Sequence, residues 1–244
     1  TVIKDAAAAS LYGSRAANGV IIITTKKGKV GTAKVGFKAD WGFSDFAMDY
    51  RKTLSGEQRR DVLQNAFYND YISQGYSESE STQYALEDAD KYAPKPWCGY
   101  TDWRDIMFQK GSHSNYETNV SGGNDRAKYY ASLGYMNQEG ITLNSGLRRI
   151  SARVNTEFKA TNHFTFGLNT MFSDVKQDAF SEGTSYTSPF YSTVSKVTPS
   201  DPVYNEDGSW NRDFIGNGDR NPLLSMKYDS KKEYVTRFMN TLWG

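Results

Sequence analysis

The chain has 244 residues, of which 29 are Lys or Arg and 28 are Asp or Glu, so its formal net charge is only +1. This balance gives no electrostatic basis for binding nucleic acid. The mean hydropathy is −0.68, yet 14% of the residues are aromatic, which excludes a disordered composition and favours β-structure. The single cysteine, Cys98, excludes an internal disulfide framework and a cysteine-based zinc site.

The chain opens with an alanine-rich segment, "KDAAAASLYG", followed by the apolar run "GVIIITTKK". Asp5 can cap a short helix, and Gly13 can end that helix in the left-handed conformation. The apolar run is then predicted to form a buried strand, and it is far shorter than the roughly 20 residues of a transmembrane helix. A helix–strand unit of an α/β domain is the alternative interpretation, but no second such unit follows.

Six segments alternate between apolar and polar residues, which predicts antiparallel strands with one apolar face. They lie near residues 33–43, 114–122, 126–138, 148–160, 163–177 and 232–244. In the first, the apolar face carries Val35, Phe37, Ala39, Trp41 and Phe43. The fold class is therefore predicted to be mainly β and antiparallel.

Two architectures accommodate these strands. In a soluble sandwich the apolar faces meet in a protein core, whereas in a transmembrane β-barrel they face lipid. The strands exceed the usual five or six residues, and their polar faces combine Arg, Lys, Glu, Asn and Gly, as a hydrated lumen would. Short turns also alternate with the long connections 44–113, 139–147 and 178–230, which favours a barrel whose three long loops are extracellular.

The long loops contain helical patterns. Ser55 and Gln58 have the spacing of a capping box, and Leu63, Phe67 and Tyr71 then form one helical stripe. The segment "SESTQYALEDADKYA" is a second predicted helix, stopped by the prolines that follow it, and a third, short helix is predicted near 187–197.

The sequence offers no constellation for catalysis. His113, expected at a loop end, and His163, in a tight turn, lack the partners of a catalytic triad or a metal site. The segment "GNGDRN" at 216–221 resembles half of a dinucleotide loop, but no strand is expected before it and no helix after it. The aspartates of the third long loop lack the spacing of an EF-hand. We therefore predict no enzymatic activity, no cofactor and no bound metal.

Aromatic residues in the predicted outer loops are candidates for stacking on a sugar ring, or else they pack the loops together. Both interpretations stay open for Trp97, Tyr100, Trp103, Tyr186, Phe190, Tyr191 and Trp210.

The opening segment resembles the end of the plug domain in TonB-dependent outer-membrane transporters, and in particular in the SusC/RagA-like nutrient importers. The matching residues are Lys4, Asp5, Tyr12, Gly13, Arg15, Asn18, Gly19, Val20, Thr24, Thr25 and Lys26. Ala16 departs from the family pattern, which often has Gly there. Four further blocks resemble the same family in colinear order, at 102–111, 120–141, 148–155 and 218–223.

The resemblance implies an internal fragment, with residues 1–29 ending the plug and residues 33–244 forming the first six or so of about 22 barrel strands. It implies TonB-dependent import of an oligosaccharide or peptide across the outer membrane of a Gram-negative bacterium. A SusD-like surface lipoprotein and TonB would be the partners, with the TonB-contacting segment upstream. Arg15 on the plug and Arg153, Glu157 and Lys159 on a lumen face would take part in ion pairs between plug and barrel, or these would be hydrated lumen charges.

Two other functions remain to be compared with this one. A siderophore- or cobalamin-type TonB-dependent receptor shares the plug and barrel, but lacks the long helical first loop and the lid lipoprotein. A secreted soluble β-sandwich, acting as a binding or adhesin module, would instead bury the faces of Val35 and Trp41 and of Phe164 and Phe172 in a protein core. A hydrolase with an unrecognised site is a weaker third alternative.

Overall fold

A computed structural model describes residues 2–3, 13, 19–47, 51–94, 99–179, 188–212, 214, 221–228 and 231–244. The helix predicted after Asp5 lies outside these residues. So do seven of the residues singled out in the sequence: Lys4, Asp5, Tyr12, Arg15, Asn18, Trp97 and Tyr186. The described part is mainly antiparallel β-structure with five helices.

Six long strands form one antiparallel sheet in which every strand pairs with its neighbours in the chain. They are β3 (Gly31–Ser44), β4 (Gly111–Gly123), β5 (Ala127–Glu139), β6 (Gly146–Lys159), β7 (Thr165–Ala179) and β8 (Lys231–Trp243). The six predicted strands are thus confirmed, although β4 begins three residues earlier than expected, so that His113 lies in a strand and not at a loop end.

The pairing register joins the apolar faces of the individual strands into one continuous surface. Phe37 lies opposite Thr118, which lies opposite Leu133. Leu133 pairs with Ala152, Ala152 with Phe172, and Phe172 with Phe238. Because paired residues point to the same side of a sheet, we call this side the apolar face and the other side the polar face.

The apolar run near the N-terminus does not form the buried strand that its composition predicts. Its strand, β2, is only Val20–Ile21 and pairs with the two-residue β1, Val2–Ile3. Ile21 and Ile23 are 72% and 82% exposed. The prediction was wrong for this chain because burial needs a facing layer, and the described residues provide only β1 beside this run.

Tight turns join β4 to β5 and β6 to β7, as the sequence predicts. In the first turn, the Asn124 side-chain oxygen accepts hydrogen bonds from the backbone amides of Arg126 and Ala127. In the second, the Thr161 hydroxyl accepts from the amides of His163 and Phe164. The three longer connections all leave the sheet at its opposite end, which we call the loop end.

Two antiparallel helices, α1 (Gly56–Ser73) and α2 (Glu78–Tyr92), form a hairpin in the first long loop. The predicted capping box of α1 is confirmed: Gln58 N donates to Ser55 Oγ at 3.1 Å, and Ser55 N donates to Gln58 Oε1 at 2.9 Å. Ser77 and Glu80 form an equivalent box at α2. None of the helices within the described residues is long and apolar enough to span a membrane.

Three short helices complete the loops: α3 (Trp103–Met107), α4 (Pro189–Ser195) and α5 (Pro222–Tyr228). The helix predicted near 187–197 is confirmed as α4. The expectation that no helix follows "GNGDRN" was wrong, since α5 begins directly after Asn221. The Asn221 side-chain oxygen accepts from the amides of Leu223 and Leu224, a local cap that hydrophobic periodicity cannot reveal in so short a helix.

Candidate functional site

The apolar face of the sheet is open in the described structure. Most of its large side chains are exposed by between 38% and 81%, with Phe43 and Val35 among the most exposed, whereas Phe172 and Val120 are half-buried. Side chains of this kind gain free energy only when they leave water, at about 25 cal/mol per Å². The soluble-sandwich interpretation required the faces of Val35 and Trp41 and of Phe164 and Phe172 to be buried in a protein core. Within the described residues Val35, Trp41 and Phe164 are 77%, 70% and 53% exposed, and Phe172 is half-buried.

The polar face is crossed by the N-terminal segment of residues 22–30, which we call the crossing segment. Lys26 Nζ lies 3.7 Å from Glu117 Oε1 on β4. The Asn155 side-chain amide on β6 donates to the Lys26 carbonyl oxygen at 2.7 Å. Asn155 is only 4% exposed, so this hydrogen bond satisfies a buried amide. The crossing segment therefore has specific polar contacts with two strands.

Two further contacts extend the crossing segment over the other strands. Gly28 lies so close to the backbone of Tyr129 on β5 that a Cβ atom would collide with it, which explains the need for glycine there. Lys27 Nζ lies 5.2 Å from the ring centroid of Trp243 on β8, a cation–π geometry. The crossing segment thus contacts β4, β5, β6 and β8 through both its side chains and its backbone. Each of these contacts is individually modest in strength.

The ion pairs suggested for the lumen have different partners in the structure. Glu157 accepts from Lys128 on the neighbouring strand at 2.8 Å. Arg153 approaches the sulfur of Met171 at 3.3 Å, and Arg15 lies outside the described residues. The sequence did not identify the pair of Lys26 and Glu117, because the two residues are 91 positions apart and only the crossing geometry brings them together.

The loop aromatics fall into two groups. Trp103 is 4% exposed, donates its indole N–H to the Asp201 carbonyl oxygen at 3.0 Å, and lies 5.3 Å from Phe214 between ring centroids. In this structure it packs the first long loop against the third. Tyr100 is 44% exposed, and Trp210 is half-buried with its ring 4.7 Å from that of Tyr204.

Two glycines, Gly13 and Gly19, are among the plug-motif residues that the structure describes. Their φ angles are 80° and 99°, in the left-handed region that favours glycine. The conformation predicted for Gly13 is confirmed.

A cleft of about 690 Å³ opens at the loop end, between β5, β6, β7, β8 and α5. Two acidic residues, Glu139 and Asp178, line it. Five cationic side chains line the same cleft: Arg148, Lys176, Lys227, Lys231 and Lys232. Lys176 Nζ lies 3.7 Å from Asp178 Oδ2, and Lys227 Nζ lies 5.2 Å from the centre of the Trp210 ring.

Acidic and imidazole side chains elsewhere have structural partners. Asp207 accepts from the hydroxyl and from the amide of Ser209, and these hydrogen bonds lower the pKa of its carboxyl. His113 Nε2 lies 3.3 Å from Asp40 Oδ1 on the adjacent strand. Across the ranges that the structure describes, no three His, Cys, Asp or Glu side chains are grouped to hold a metal ion.

Comparison with known proteins places these features in a family context. No protein-family model matches the chain. The TonB-dependent receptor SusC of Bacteroides thetaiotaomicron is 34% identical over 239 residues, which are 94% of this chain and 21% of SusC. The TonB-dependent receptor P3 of Formosa agariphila is 32% identical over 237 residues, which are 95% of this chain and 21% of that receptor. The chain therefore spans about a fifth of the length of these relatives.

The fold matches a chain in solved structures of the RagAB peptide transporter. The TM-score is 0.69 at 23% sequence identity, and the match covers 99% of this chain and 29% of that chain. A second structure, of the RagAB peptide importer in the "closed-closed" state, matches with a TM-score of 0.68. Over almost its whole length, this chain is similar in sequence to a segment of TonB-dependent receptors such as SusC, and its fold is similar to that of a segment of a RagAB chain.

Proposed function

We propose that this chain belongs to an importer of the outer membrane that takes up an oligosaccharide or a peptide, driven by TonB and assisted by a SusD-like surface lipoprotein. Residues 1–29 would end the plug, and residues 33–244 would begin the barrel wall. The observation that carries this proposal is the two-sided sheet, which exposes a continuous apolar face and has its polar face crossed by the N-terminal segment.

The apolar face supports a location in lipid. Strands of 13 to 15 residues exceed the 9–11 that a tilted strand needs to cross a bilayer. Lipid would cover side chains such as Phe37 and Phe238, which water otherwise contacts. The opposite face, with Lys38, Glu117 and Arg153, suits a hydrated lumen.

The contacts of the crossing segment support a plug that can shift. The pair of Lys26 and Glu117 is solvent-accessible, with side chains 69% and 35% exposed, and exposed pairs contribute only about 0–1 kcal/mol each. A few such contacts hold a plug in place without making its movement prohibitive. TonB would supply the force from the inner-membrane proton gradient, while the barrel stays intact.

The substrate class follows by analogy. One structural neighbour is described as a peptide transporter, and SusC is the relative with the highest identity quoted above. Tyr100 and Trp210, at the loop end, are the described aromatics that we propose to contact the substrate, together with Trp97 and Tyr186. Trp103 is enclosed by Phe214 and Asp201 and would act by holding the loops together.

The proposal is tested by uptake in the bacterium that makes this protein. Cells lacking the gene, and cells lacking TonB, are supplied with labelled oligosaccharides and labelled peptides. We expect both deletions to abolish uptake of one substrate class, and a proton-gradient uncoupler to stop uptake while surface binding continues. Uptake of both classes at wild-type rates in both deletion strains would contradict the proposal, as would recovery of the protein from the soluble fraction.

A matched pair of variants tests the substrate contacts. Trp210→Ala removes a ring that is accessible at the loop end, whereas Tyr191→Ala removes one in α4 that we do not place at the substrate. Loss of a stacking ring should weaken substrate binding by about threefold to tenfold, with Tyr191→Ala unchanged. Equal affinity of the two variants would remove Trp210 from the proposed site.

A further inference from the structure

Three cationic residues lie on the apolar face of the sheet near its loop end, and we call them the cationic rim: Arg148, Lys176 and Lys232. Arg148 pairs with Lys176 across β6 and β7. Lys232 pairs with Asp178, which lies two residues beyond Lys176 towards the loop end of β7. Alternation along each strand puts the rim on the side that carries Ile150 and Phe172, because residues two apart in a strand share a face.

On β6 the rim follows directly on the apolar band, whereas on β7 Asp174 lies between Phe172 and Lys176 on the same face. Ile150 lies two residues from Arg148, and it is the loop-end limit of the apolar positions on β6. Two aromatic residues lie in the same row of paired residues as the rim. Tyr234 pairs with Lys176. Trp41 pairs with Ser114, which in turn pairs with Asn137. Tyr234 and Trp41 are 66% and 70% exposed. Exposed Trp and Tyr at one level mark the boundary between hydrocarbon and headgroups.

The rim also forms one wall of the cleft of about 690 Å³ described above. Lys227 from α5 and Lys231 from β8 also line the cleft, so cationic groups outnumber acidic groups there by five to two. The Lys176 Nζ atom forms an ion pair with Asp178 Oδ2 at 3.7 Å. The volume of the cleft lies within the range of about 300–1,000 Å³ that is usual for pockets that bind ligands larger than a single ion.

We propose that the cationic rim and its cleft bind the phosphate group of an anionic lipid in the leaflet on the loop side. The inference rests on the proposed function, since it requires the apolar face to contact lipid. The choice of a lipid over a soluble anion follows from the position of the rim, because Arg148, Lys176 and Lys232 share their face with exposed apolar side chains. A dissolved anion has no apolar part to place there, whereas a lipid covers both surfaces at once.

The test titrates the detergent-purified intact protein with lipid A as a phosphate-bearing lipid, with phosphatidylcholine as a zwitterionic lipid, and with inorganic phosphate. Bound lipid is counted by native mass spectrometry. The variant is the triple neutralisation of Arg148→Gln, Lys176→Gln and Lys232→Gln. Each basic residue near an anionic membrane surface changes affinity about fivefold, so we expect the triple variant to bind lipid A about 100-fold more weakly.

The matched control neutralises three cationic residues of the polar face: Lys38→Gln, Arg149→Gln and Arg237→Gln. Arg149 is the chain neighbour of Arg148 but points to the opposite face. We expect this control to bind lipid A as the unmodified protein does. If the rim triple fails to assemble, the three single variants, each expected to bind about fivefold more weakly, replace it.

The outcomes separate this inference from the proposed function. Preferential binding of lipid A that the rim variant loses and the control keeps would support it. Equal binding by rim variant and control, or tighter binding of inorganic phosphate than of lipid A, would overturn it while uptake still supports an importer. Failure of the intact protein to reach the membrane would overturn both.

Discussion

The sheet differs from the cluster of Trp103, Asp201 and Phe214, which we call the loop cluster, in how far its aromatic side chains are exposed. On the sheet, Phe37 and Phe238 are 72% and 66% exposed, and their strands are joined by continuous backbone ladders. In the loops, Trp103 and Phe214 are 4% and 7% exposed and pack against each other. The sheet is held together by backbone hydrogen bonds, and its apolar side chains need an external apolar partner. The loop cluster, in contrast, buries its aromatic side chains against each other.

The helical hairpin of the first loop resembles the loop cluster and not the sheet. Arg60 is 5% exposed, yet it donates to the Ala93 carbonyl at 2.7 Å and pairs with Asp90 at 2.5 Å. Its buried charge is therefore compensated within the hairpin. We infer that the surroundings of each region determine whether its apolar side chains are buried. The parts of the chain in water bury their apolar side chains, and the part proposed to be in lipid exposes them.

The largest expected effect comes from removing the core of the loop cluster. Trp103→Ala deletes a buried ring and the hydrogen bond to Asp201, and should lower the local stability by about 3–5 kcal/mol. Protease cleavage of the folded protein within residues 188–212 should then rise at least about 100-fold. Tyr191→Ala, at a ring that is 44% exposed, should change it little, and equal cleavage of both variants would contradict a packing role for Trp103.

The next effect tests the other side of the comparison, in the middle of β8. Phe238 and Met239 are adjacent and similarly exposed, at 66% and 58%, but they point to opposite faces. Phe238→Arg would place a charge in lipid and cost about 2–4 kcal/mol, whereas Met239→Arg would place it on the polar face. We expect much less protein in the outer-membrane fraction for the first variant only. A similar loss for both would argue against lipid contact on the apolar face.

A smaller effect concerns the start of α1. Ser55→Ala removes the acceptor of the capping box and should destabilise the helix by about 1 kcal/mol. Amide exchange in its first turn should accelerate about fivefold, measured by mass spectrometry. Ser55→Asp keeps an acceptor and should restore protection, and failure to do so would mean that the cap contributes little to the hairpin.

The smallest effect is a pH dependence confined to the same hairpin. Tyr71 donates its hydroxyl to Asp88 at 2.7 Å, and this hydrogen bond, followed by the loss of solvation and by nearby charges, raises the pKa of Tyr71 to about 12. A raised pKa means that stability from this bond is complete below pH 10 and lost as the pH rises towards 12. The difference in tyrosinate absorbance between the protein and Tyr71→Phe should have its midpoint near 12. A midpoint near 10 would show that the bond does not form.

Much of the fold follows from local patterns. All six long strands were predicted because their apolar and polar residues alternate over many positions, and α1 was predicted from Ser55, Gln58 and its stripe. Short elements were harder. Helices α4 and α5 both have seven residues, and only α4 was predicted, because the start of α5 depends on the side chain of Asn221.

The candidate site was less accessible to prediction. The motif glycine Gly13 has the backbone conformation expected from the sequence. The partners of the lumen charges were not anticipated, since Glu157 bonds to Lys128 within the sheet and Lys26 reaches Glu117 across it. Charges of one kind are chemically equivalent in a sequence, and their pairing is set by distances that arise only on folding.

The sequence by itself determined that the chain forms long two-sided strands with helical loops, because the period of hydrophobicity is encoded residue by residue. It also carried the family resemblance that its relatives bear out. The tertiary structure alone decided that the apolar faces join into one exposed surface, that Trp103 is enclosed, and that the crossing segment lies on the polar face. These properties depend on register and on contacts between distant segments, which no local pattern specifies.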